Sequence, residues 1–325
     1  MTAQTTTTTS AIEVRGLTKS FGKQLVLDGI DLDVATGTVF ALLGPNGAGK
    51  TTAVHILTTL ISADAGEIRI GGFDVAREPA AVRRLIGLTG QISAVDSQFT
   101  GEENLRLMAD LHHLGKEQGR KRVGELVERF DLVADAAKPA STYSGGMRRR
   151  LDLAMTLVGD PRIIFLDEPT TGLDPRSRRV MWDIVRDLVA DGVTIFLTTQ
   201  YLEEADRLAG RIALLDGGRV VAQGTPAELK RLVPGGSVRL EFADEAALDR
   251  AAQTLGHGTR DEQGLALDLP NEGGVHSLRA LLDRLDTESI EVDGLAVRSA
   301  DLDDVFLSLT GRSDGRRDDE RVPTS

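Results

Sequence analysis

The hydrophobic pattern of this chain changes from short strand-like runs to longer helical stretches and back again. Residues 39–43 are uninterruptedly apolar, as in a buried parallel strand, and residues 163–166 form a second buried run. Residues 30–34 alternate apolar and polar positions, which is typical of a half-buried strand. From residue 102 to about residue 159 the apolar positions recur at helical spacing instead. The pattern predicts an α/β domain with a helical region between its strands.

A second unit is indicated after the Pro-Gly-Gly at residues 234–236, which marks a domain boundary. Beyond it, alternating runs and helical stripes follow one another and predict a small α+β domain over residues 235–311. The preceding domain then spans residues 11–234. The Thr-rich residues 1–10 and the charged residues 312–325 are predicted to be disordered tails.

Composition narrows the classes of function. The net charge of −12 argues against nucleic acid as a partner, because phosphate binding needs a basic face. The chain has no cysteine, which excludes disulfides and thiolate-bound metal clusters. The sequence has neither a secretory leader nor a stretch apolar enough to form a membrane helix. We therefore expect a soluble chain whose membrane role, if it has one, requires a separate partner.

The most informative motif is GPNGAGKTT at residues 44–52, between a predicted strand and a predicted helix. Its glycines allow backbone N–H groups to turn inward, and the helix dipole favours an anion at the same place. Lys50 can reach the β- and γ-phosphates, and the Thr51 hydroxyl can hold Mg²⁺. The motif predicts a nucleotide site but leaves the class of P-loop protein open. The predicted nucleotide-binding residues are Gly44, Pro45, Asn46, Gly47, Ala48, Gly49, Lys50, Thr51 and Thr52.

A second motif places two carboxylates at the end of the strand at 163–166. Asp167 occupies the position of a Walker B aspartate, which holds Mg²⁺ directly or through water. Glu168 follows it and could polarise an attacking water. Alone, the pattern also fits solvated acids at a turn, but the P-loop in the same chain favours the functional interpretation.

A third motif, Tyr143-Ser144-Gly145-Gly146-Met147, precedes three arginines and an apolar helical stripe. Ser144 is a natural N-cap, and the glycines expose backbone N–H groups that can bind an anion. Without other motifs, an ordinary helix cap followed by an ordinary solvated arginine face would be the simpler interpretation.

Taken together and in order, GPNGAGKTT, YSGGMRRR and IIFLDEPTTGLD resemble the ATP-binding subunit of an ABC transporter over about residues 12–232. Three further stretches resemble the daunorubicin/doxorubicin-resistance subfamily of drug-efflux ATPases: IGLTGQISAVDSQFTGEENL, LTTQYLEEADRLAGRIALLDGGRVVAQGTPAELK and LDDVFLSLTG. The resemblance implies a P-loop NTPase fold with a RecA-like core, an antiparallel β-subdomain and an α-helical subdomain at about 91–159. It also implies ATP and Mg²⁺ as ligands.

The same resemblance assigns roles to further residues. Phe21 resembles the aromatic that stacks on adenine, although a core phenylalanine beside a turn is the alternative. Gln91 resembles the glutamine that contacts Mg²⁺ or the attacking water. Asp174 resembles the D-loop aspartate that connects the two sites of a dimer, and it could also cap the helix after Pro175. Residues 144–147 resemble the signature that closes over ATP held by another copy.

One position departs from the wider family pattern, because Gln200 stands where most ABC ATPases have a histidine that touches the γ-phosphate. A glutamine amide can donate a hydrogen bond to phosphate but cannot carry a proton near neutral pH. The drug-resistance subfamily is similar to this chain at this position. We therefore expect slow to moderate turnover, with Glu168 as the main catalytic group and Gln200 as its companion.

The resemblance implies an ATPase motor that exports drugs or related amphipathic molecules. Two identical copies would hold two ATP molecules head to tail and drive a separate transmembrane permease at the cytoplasmic face of the cell membrane. The permease is expected to dock near residues 91–99, and the C-terminal domain to support dimerisation, regulation or stability. Two alternatives stay open: a motor for lipid or an endogenous metabolite, and a nucleotide-gated regulator with little hydrolysis. No nucleic-acid partner or metal cluster is expected.

Overall fold

The computed structural model describes residues 10–233, 236–256, 258–261, 264–271, 274–298 and 301–310. The predicted tails, 1–10 and 312–325, lie outside these ranges, apart from Ser10. That residue begins the first strand, so the N-terminal tail was predicted one residue too long. The chain divides into two compact units between Pro226 and Ala227, whereas the sequence favours a boundary at the Pro-Gly-Gly farther along.

An antiparallel sheet of four strands forms the first layer of the first unit, with the order β2-β1-β4-β5. Its strands are β1 (Ser10–Phe21), β2 (Gln24–Ala35), β4 (Ala65–Ile70) and β5 (Phe73–Asp74). Gly22, with φ of 61°, makes the turn between the two long strands. Residues 30–34 of β2 alternate between buried and exposed, as the sequence pattern predicts.

A six-stranded sheet forms the core of the same unit, with the order β10-β9-β3-β8-β7-β6. Its strands are β3 (Val39–Leu43), β6 (Ile86–Thr89), β7 (Ile163–Asp167), β8 (Thr194–Thr199), β9 (Arg211–Asp216) and β10 (Arg219–Gly224). All neighbouring pairs are parallel except β9 with β10. The parallel strands therefore end at one edge, where ligands of open α/β sheets bind.

Helices connect these strands. They are α1 (Lys50–Leu57), α2 (Pro79–Leu85), α3 (Gly101–Leu111), α4 (Lys116–Arg129), α5 (Gly145–Thr156), α6 (Pro175–Ala190) and α7 (Leu202–Leu208). Side chains cap the starts of α3, α5 and α6. Thr100 and Glu103 form a capping box at the start of α3. Three of these helices, α3 to α5, lie in the region where the sequence changes to helical spacing. Over the part of the chain that the structure describes, no helix has the length and apolar character needed to span a bilayer.

The second unit begins with the short helix α8 (Pro226–Lys230) and continues as a four-stranded antiparallel sheet with the order β12-β13-β11-β14. Its strands are β11 (Gly236–Glu241), β12 (Thr259–Arg260), β13 (Ala266–Asn271) and β14 (Gly294–Arg298). The remaining helices are α9 (Glu245–Leu255), α10 (Gly274–Thr287) and α11 (Leu302–Thr310). Val238 and Leu240 of β11, and Phe242 directly after it, are buried in the core of this unit, which has the predicted α+β architecture.

Three buried phenylalanines pack between the central strands β3, β7 and β8. The rings of Phe40 and Phe196 are stacked with centroids 5.6 Å apart, and those of Phe165 and Phe196 lie 5.5 Å apart. The Phe196 side chain is completely buried and joins the two contacts. It therefore connects the strand that precedes the glycine-rich loop with the strand that ends in Asp167 and Glu168.

We predict that Phe196→Ala lowers the free energy of unfolding by about 3–5 kcal/mol, because it removes both ring contacts and leaves a cavity. Urea unfolding followed by the fluorescence of Trp182, the single tryptophan, measures the loss. Leu60→Ala serves as a control, since 60% of that side chain is exposed and the change is expected to stay within about 0.5 kcal/mol. Equal stability of the Phe196→Ala and Leu60→Ala proteins would contradict the prediction.

Candidate active site

The loop from Gly44 to Gly49 joins β3 to α1 and is packed too closely to accept side chains at two of its glycines. A Cβ on Gly44 would clash with the carbonyl oxygen of Leu215. Gly49 has φ of 107°, and a Cβ there would meet the side chain of Leu27 and the carbonyl of Val26. The strand β2 therefore supports the loop from below, a contact that cannot be read from the motif itself.

A cavity of about 270 Å³ opens beside this loop. Its walls come from the loop, the start of α1, the segment after β6 and the end of β7. The lining residues are Val26, Asn46, Gly47, Gly49, Lys50, Thr51, Thr52, Gln91 and Glu168. The structure thus brings most of the predicted loop residues together with Gln91 and Glu168. Val26 was missed by the sequence analysis, because an apolar residue in a strand has no distinguishing signal.

Opposite charges meet in this cavity. The Lys50 Nζ atom lies 3.2 Å from Glu168 Oε1, and both side chains are more than nine-tenths buried. The same ammonium donates hydrogen bonds to the carbonyl oxygens of Gly44 at 2.9 Å and Pro45 at 3.1 Å. Lys50 is therefore held across the loop by main-chain dipoles and one carboxylate. Buried from water, its charge acts strongly on any anion that enters.

Asp167 lies behind the cavity at the end of β7, where its carboxylate accepts a hydrogen bond from the Thr198 hydroxyl of β8. The next residue, Glu168, has φ of 48°, in the left-handed region that side chains rarely adopt. Its N–H donates to the Thr198 carbonyl at 3.2 Å and to the Thr198 hydroxyl at 3.1 Å. These hydrogen bonds hold the strained backbone that turns Glu168 towards the cavity.

The oxygen ligands near the loop fit Mg²⁺. The Thr51 hydroxyl and the Asp167 carboxylate are hard donors, which this ion prefers. In the described ranges, no group of three or more His, Cys, Asp or Glu side chains could hold a metal ion by itself. A site of one carboxylate and one hydroxyl suits Mg²⁺, which keeps several waters and takes further oxygens from a bound phosphate.

Several predicted residues do not line the cavity, namely Phe21, Gly44, Pro45, Ala48, Asp167 and Gln200. Phe21 is 51% exposed at the turn after β1, with the Lys19 ammonium 5.4 Å from its ring centre, so the alternative of a core phenylalanine is wrong. Gln200 directly follows β8 and is half-buried. Ala48 is buried inside the loop and packs beneath it. Phe21 and Gln200 are therefore not part of the cavity wall.

The predicted signature forms a separate structure at the start of α5. The Ser144 hydroxyl caps this helix by accepting from the Met147 N–H at 3.2 Å, as predicted. Gly145 is exposed, and a Cβ on Gly146 would clash with the Ser177 hydroxyl. Ser144, Gly146 and Met147 line a second cavity, of about 260 Å³. Among the described residues, none lines both cavities, so one copy keeps the signature and the glycine-rich loop apart.

Asp174 lies close to the signature, because it bonds the Ser177 hydroxyl that faces Gly146. Its carboxylate accepts from the N–H groups of Arg176 and Ser177 and, at 2.6 Å, from the Ser177 hydroxyl. It is therefore the N-cap of α6, as one of the two interpretations held. The Ser177 hydroxyl and these amides lower the pKa of the Asp174 carboxyl below its ordinary value.

Three buried ionisable residues, Arg149, Asp152 and Glu204, were not recognised in the sequence. Arg149, in the middle of the arginine run, is only 9% exposed, so the hypothesis of a solvated arginine face is wrong for this residue. Glu204 on α7 is completely buried; its Oε1 accepts from the Thr170 hydroxyl at 2.9 Å and from the Trp182 indole at 3.0 Å. Burial raises the pKa of Glu204 more than these hydrogen bonds lower it.

A glycine-rich loop that opens a helix, a lysine at its first turn and paired acids on a neighbouring strand define a P-loop nucleotide-binding protein. The family model for ABC transporters matches residues 27–171. The chain is 49% identical to the daunorubicin resistance ATP-binding protein DrrA3 of Streptomyces coeruleorubidus, over 96% of this chain and 98% of that protein. It is 45% identical to the daunorubicin/doxorubicin resistance ATP-binding protein DrrA of Streptomyces peucetius, over 96% of each.

Among solved structures, a dimeric ATP-binding cassette in a post-hydrolysis state, bound to ADP and Pi, is similar to about two thirds of this chain. The TM-score is 0.60 at 26% identity, and the match covers 66% of this chain and 98% of that chain. The chain therefore belongs to the ABC transporter family, in the branch of the daunorubicin/doxorubicin resistance ATP-binding proteins. The resemblance drawn from the motifs, and the fold class that it implies, are confirmed.

Because burial raises the pKa of Glu204, the folded protein keeps this proton at a pH where the unfolded chain has lost it. Unfolding in that pH range therefore releases a proton. Burial of Glu204 does not lower the free energy of unfolding below about pH 4.5, but it lowers it increasingly as pH rises through the folded pKa. We predict that Glu204→Gln, which keeps an acceptor for Thr170 and Trp182, becomes increasingly stable relative to the unmodified chain as pH rises above about 4.5.

Urea unfolding at several pH values, followed by Trp182 fluorescence, measures this difference. Glu203→Gln is the matched control, because Glu203 is the exposed neighbour on the same helix and pairs with Arg207 at the surface. Its stability difference from the unmodified chain should change little with pH. Parallel pH curves for Glu204→Gln and the unmodified chain would refute the raised pKa.

Proposed function

We propose that this chain is the ATP-binding, ATP-hydrolysing subunit of an exporter that moves drugs or related amphipathic molecules through a separate transmembrane subunit. The observation that carries the proposal is the cavity that Lys50, Thr51, Gln91 and Glu168 share. Its chemistry is that of phosphoryl transfer to water, and the chain is nearly half identical to a daunorubicin resistance ATP-binding protein. The 235–311 segment is proposed as an accessory domain.

The residues in and beside the cavity have separate roles in the hydrolytic step. The N–H groups of the loop and the Lys50 ammonium hold the β- and γ-phosphates of ATP, whose charge draws Lys50 away from Glu168. Thr51, Asp167 and Gln91 would hold Mg²⁺, which neutralises charge on the phosphate oxygens. Glu168 then accepts a proton from water as the water oxygen bonds to the γ-phosphorus. The bond from that phosphorus to the bridging oxygen breaks, leaving ADP and phosphate.

Because Gln200 cannot accept a proton, Glu168 is the general base of this mechanism. The Gln200 amide can donate to a γ-phosphate oxygen from the end of β8. Phe21, exposed at the edge of the site, offers a ring on which adenine can stack. Glu168 is thus the group on which the rate of hydrolysis depends.

A second copy of the chain completes the site. In one copy, the signature at Ser144 to Met147 lines a cavity of its own, with a capped helix start and exposed backbone N–H groups. A head-to-tail pair brings the signature of each copy against the ATP held by the other, and Asp174 lies beside that contact. Two ATP molecules then hold the pair together, and loss of the γ-phosphate contacts releases it.

The permease is proposed to dock at a groove of about 450 Å³ between α3, α5 and the segment that follows Gln91. Met108 and Met155 supply apolar, adaptable walls, and Arg83 and Arg84 stand at its rim. Close by in sequence, Ile92 is 90% exposed. A cytoplasmic helix of the permease with apolar residues and an acidic side chain fits this groove, which would keep the chain at the cytoplasmic membrane face.

We predict that Glu168→Gln retains ATP but loses hydrolysis. Glutamine keeps the size of the side chain but cannot accept the proton of the attacking water, so turnover should fall by at least about a hundredfold. ATP affinity should stay within about threefold, since the phosphate contacts of the loop remain. Phosphate release and binding of a fluorescent ATP analogue measure the two quantities.

The same variant tests the pair of copies. With ATP and Mg²⁺, Glu168→Gln should elute as a dimer in light-scattering chromatography, and without nucleotide as a monomer. Ser144→Arg in the same background is the control that should prevent dimerisation, because it blocks the signature. Unchanged turnover would overturn the role of Glu168, and a persistent monomer with ATP would overturn the dimer.

The groove prediction concerns the membrane partner. Met108→Glu should abolish copurification with the permease encoded by a neighbouring reading frame and restore doxorubicin accumulation in cells expressing both. Leu111→Glu on the same helix is the control, because Leu111 is 63% exposed and does not line the groove. Copurification of the Met108→Glu chain would contradict the docking site. If doxorubicin accumulation does not change when the unmodified chain and the permease are expressed together, the result would instead favour another cargo.

A further inference from the structure

Within the proposed ATPase, on which this inference rests, we propose that Arg149 is a positioning residue for hydrolysis. It holds the segment that carries Gln91 and the segment that carries Glu168 at a set distance from each other and from the signature helix. Arg149 itself lines neither the nucleotide cavity nor the signature cavity.

The guanidinium of Arg149 donates to carbonyls that flank both catalytic segments. Nε donates to the Pro169 carbonyl at 2.9 Å, and Nη2 donates to the Asp167 carbonyl at 3.3 Å. These two carbonyls stand immediately after and before Glu168. Nη1 donates at 2.7 Å to the carbonyl of Gly90, the residue before Gln91. One side chain thus fixes the backbone on both sides of Glu168 and next to Gln91.

Asp152, one turn farther along α5, completes this clamp. Its Oδ2 lies 3.4 Å from Arg149 Nη1, and its Oδ1 accepts from the N–H of Ala94 at 3.2 Å. Arg149 and Asp152 therefore hold residues 90–94, which include Gln91, at both ends. Both side chains are buried, so the contacts are shielded from water and from salt.

The residue type suits this task. A guanidinium has donors arranged in a planar fork, so it can bond several carbonyls in different directions at once. A lysine ammonium carries a similar charge but cannot reproduce the fork, and an apolar side chain would leave the carbonyls of Gly90 and Pro169 without this donor. Hydrogen bonds to a charged donor are stronger than neutral ones, which makes the spacing of the two segments stiff.

The place of Arg149 on α5 gives the clamp a second consequence. Ser144 caps the start of this helix, and Arg149 follows a little more than one turn later. In the proposed dimer, the signature at that start contacts the nucleotide held by the partner copy. A shift of α5 upon that contact is passed through Arg149 to Gln91 and Glu168 of the same copy.

The test compares Arg149→Lys with the unmodified full chain in steady-state ATP hydrolysis. A displaced Glu168 or Gln91 should lower kcat by about tenfold or more, while the KM for ATP stays within about threefold because the phosphate loop is intact. Arg122→Lys is the matched control: Arg122 also donates to a main-chain carbonyl, that of Leu157 at 2.7 Å, but reaches neither catalytic segment. Its kcat should stay close to that of the unmodified chain.

A double variant separates positioning from simple stabilisation. Combined with Gln91→Ala, Arg149→Lys should cost a smaller factor in kcat than it costs alone, because one of the groups it positions is gone. A purely structural role would give the same factor in both backgrounds. If Arg149→Lys does not fold, Asp152→Asn replaces it. Asn keeps an acceptor for the Ala94 N–H but places an amide nitrogen where Oδ2 faces Arg149, so it weakens the clamp and should still lower kcat with KM unchanged.

The outcomes distinguish this inference from the function on which it rests. An unchanged kcat in Arg149→Lys, or in Asp152→Asn where that variant stands in, overturns the inference while hydrolysis by the unmodified chain upholds the proposed function. Equal factors in the two backgrounds also overturn it. A purified unmodified chain that binds but never hydrolyses ATP overturns both.

Discussion

Parallel strand pairing is the constraint on which the rest of the site depends. The strands β6, β7, β8 and β3 are hydrogen-bonded side by side and run in the same direction, so they end at one edge. The segments carrying Gln91, Glu168, Gln200 and the glycine-rich loop begin where these strands end. Main-chain hydrogen bonds continue past the strands, since the Gly44 N–H donates to the Thr199 carbonyl and the Glu168 N–H donates to the Thr198 carbonyl. Groups far apart in the chain are thereby brought to fixed mutual positions.

Buried charge is concentrated at this edge, and each group has partners that compensate for lost hydration. Lys50 is held by Glu168 and two carbonyls, and Arg149 by Asp152 and three carbonyls. These partners lie in loops and at strand ends, where the hydrophobic core does not determine backbone position. Polar contacts therefore set the geometry of the site, whereas apolar packing, such as that around Phe196, sets the position of the sheet beneath it.

In the proposed pair of copies, the separation of the two cavities would let ATP control assembly. A single copy would surround only one side of a bound phosphate with the charged and hydrogen-bonding groups of its glycine-rich loop cavity. Its signature, at the start of α5, lies in the other cavity. Free energy from nucleotide binding can then stabilise the contact between copies as well as the bound nucleotide itself. The helix α5 carries both the signature and Arg149, so in the proposed dimer it joins the surface that meets the partner to the groups proposed to activate water.

Features set by neighbours in sequence were readable from the sequence alone. The glycine-rich loop, the acids after β7, and the caps at Ser144 and Asp174 depend on residues within a few positions of one another. The α/β pattern, the helical region and the smaller α+β unit follow from hydrophobic spacing in the same way. Only the tertiary structure decided which member of the arginine run is buried, that Glu204 lies inside while Glu203 does not, that Val26 supports the loop, and that Phe21 is exposed. Those outcomes depend on contacts between strands and helices distant in the chain, and adjacent identical side chains carry no local signal of which one will face the interior.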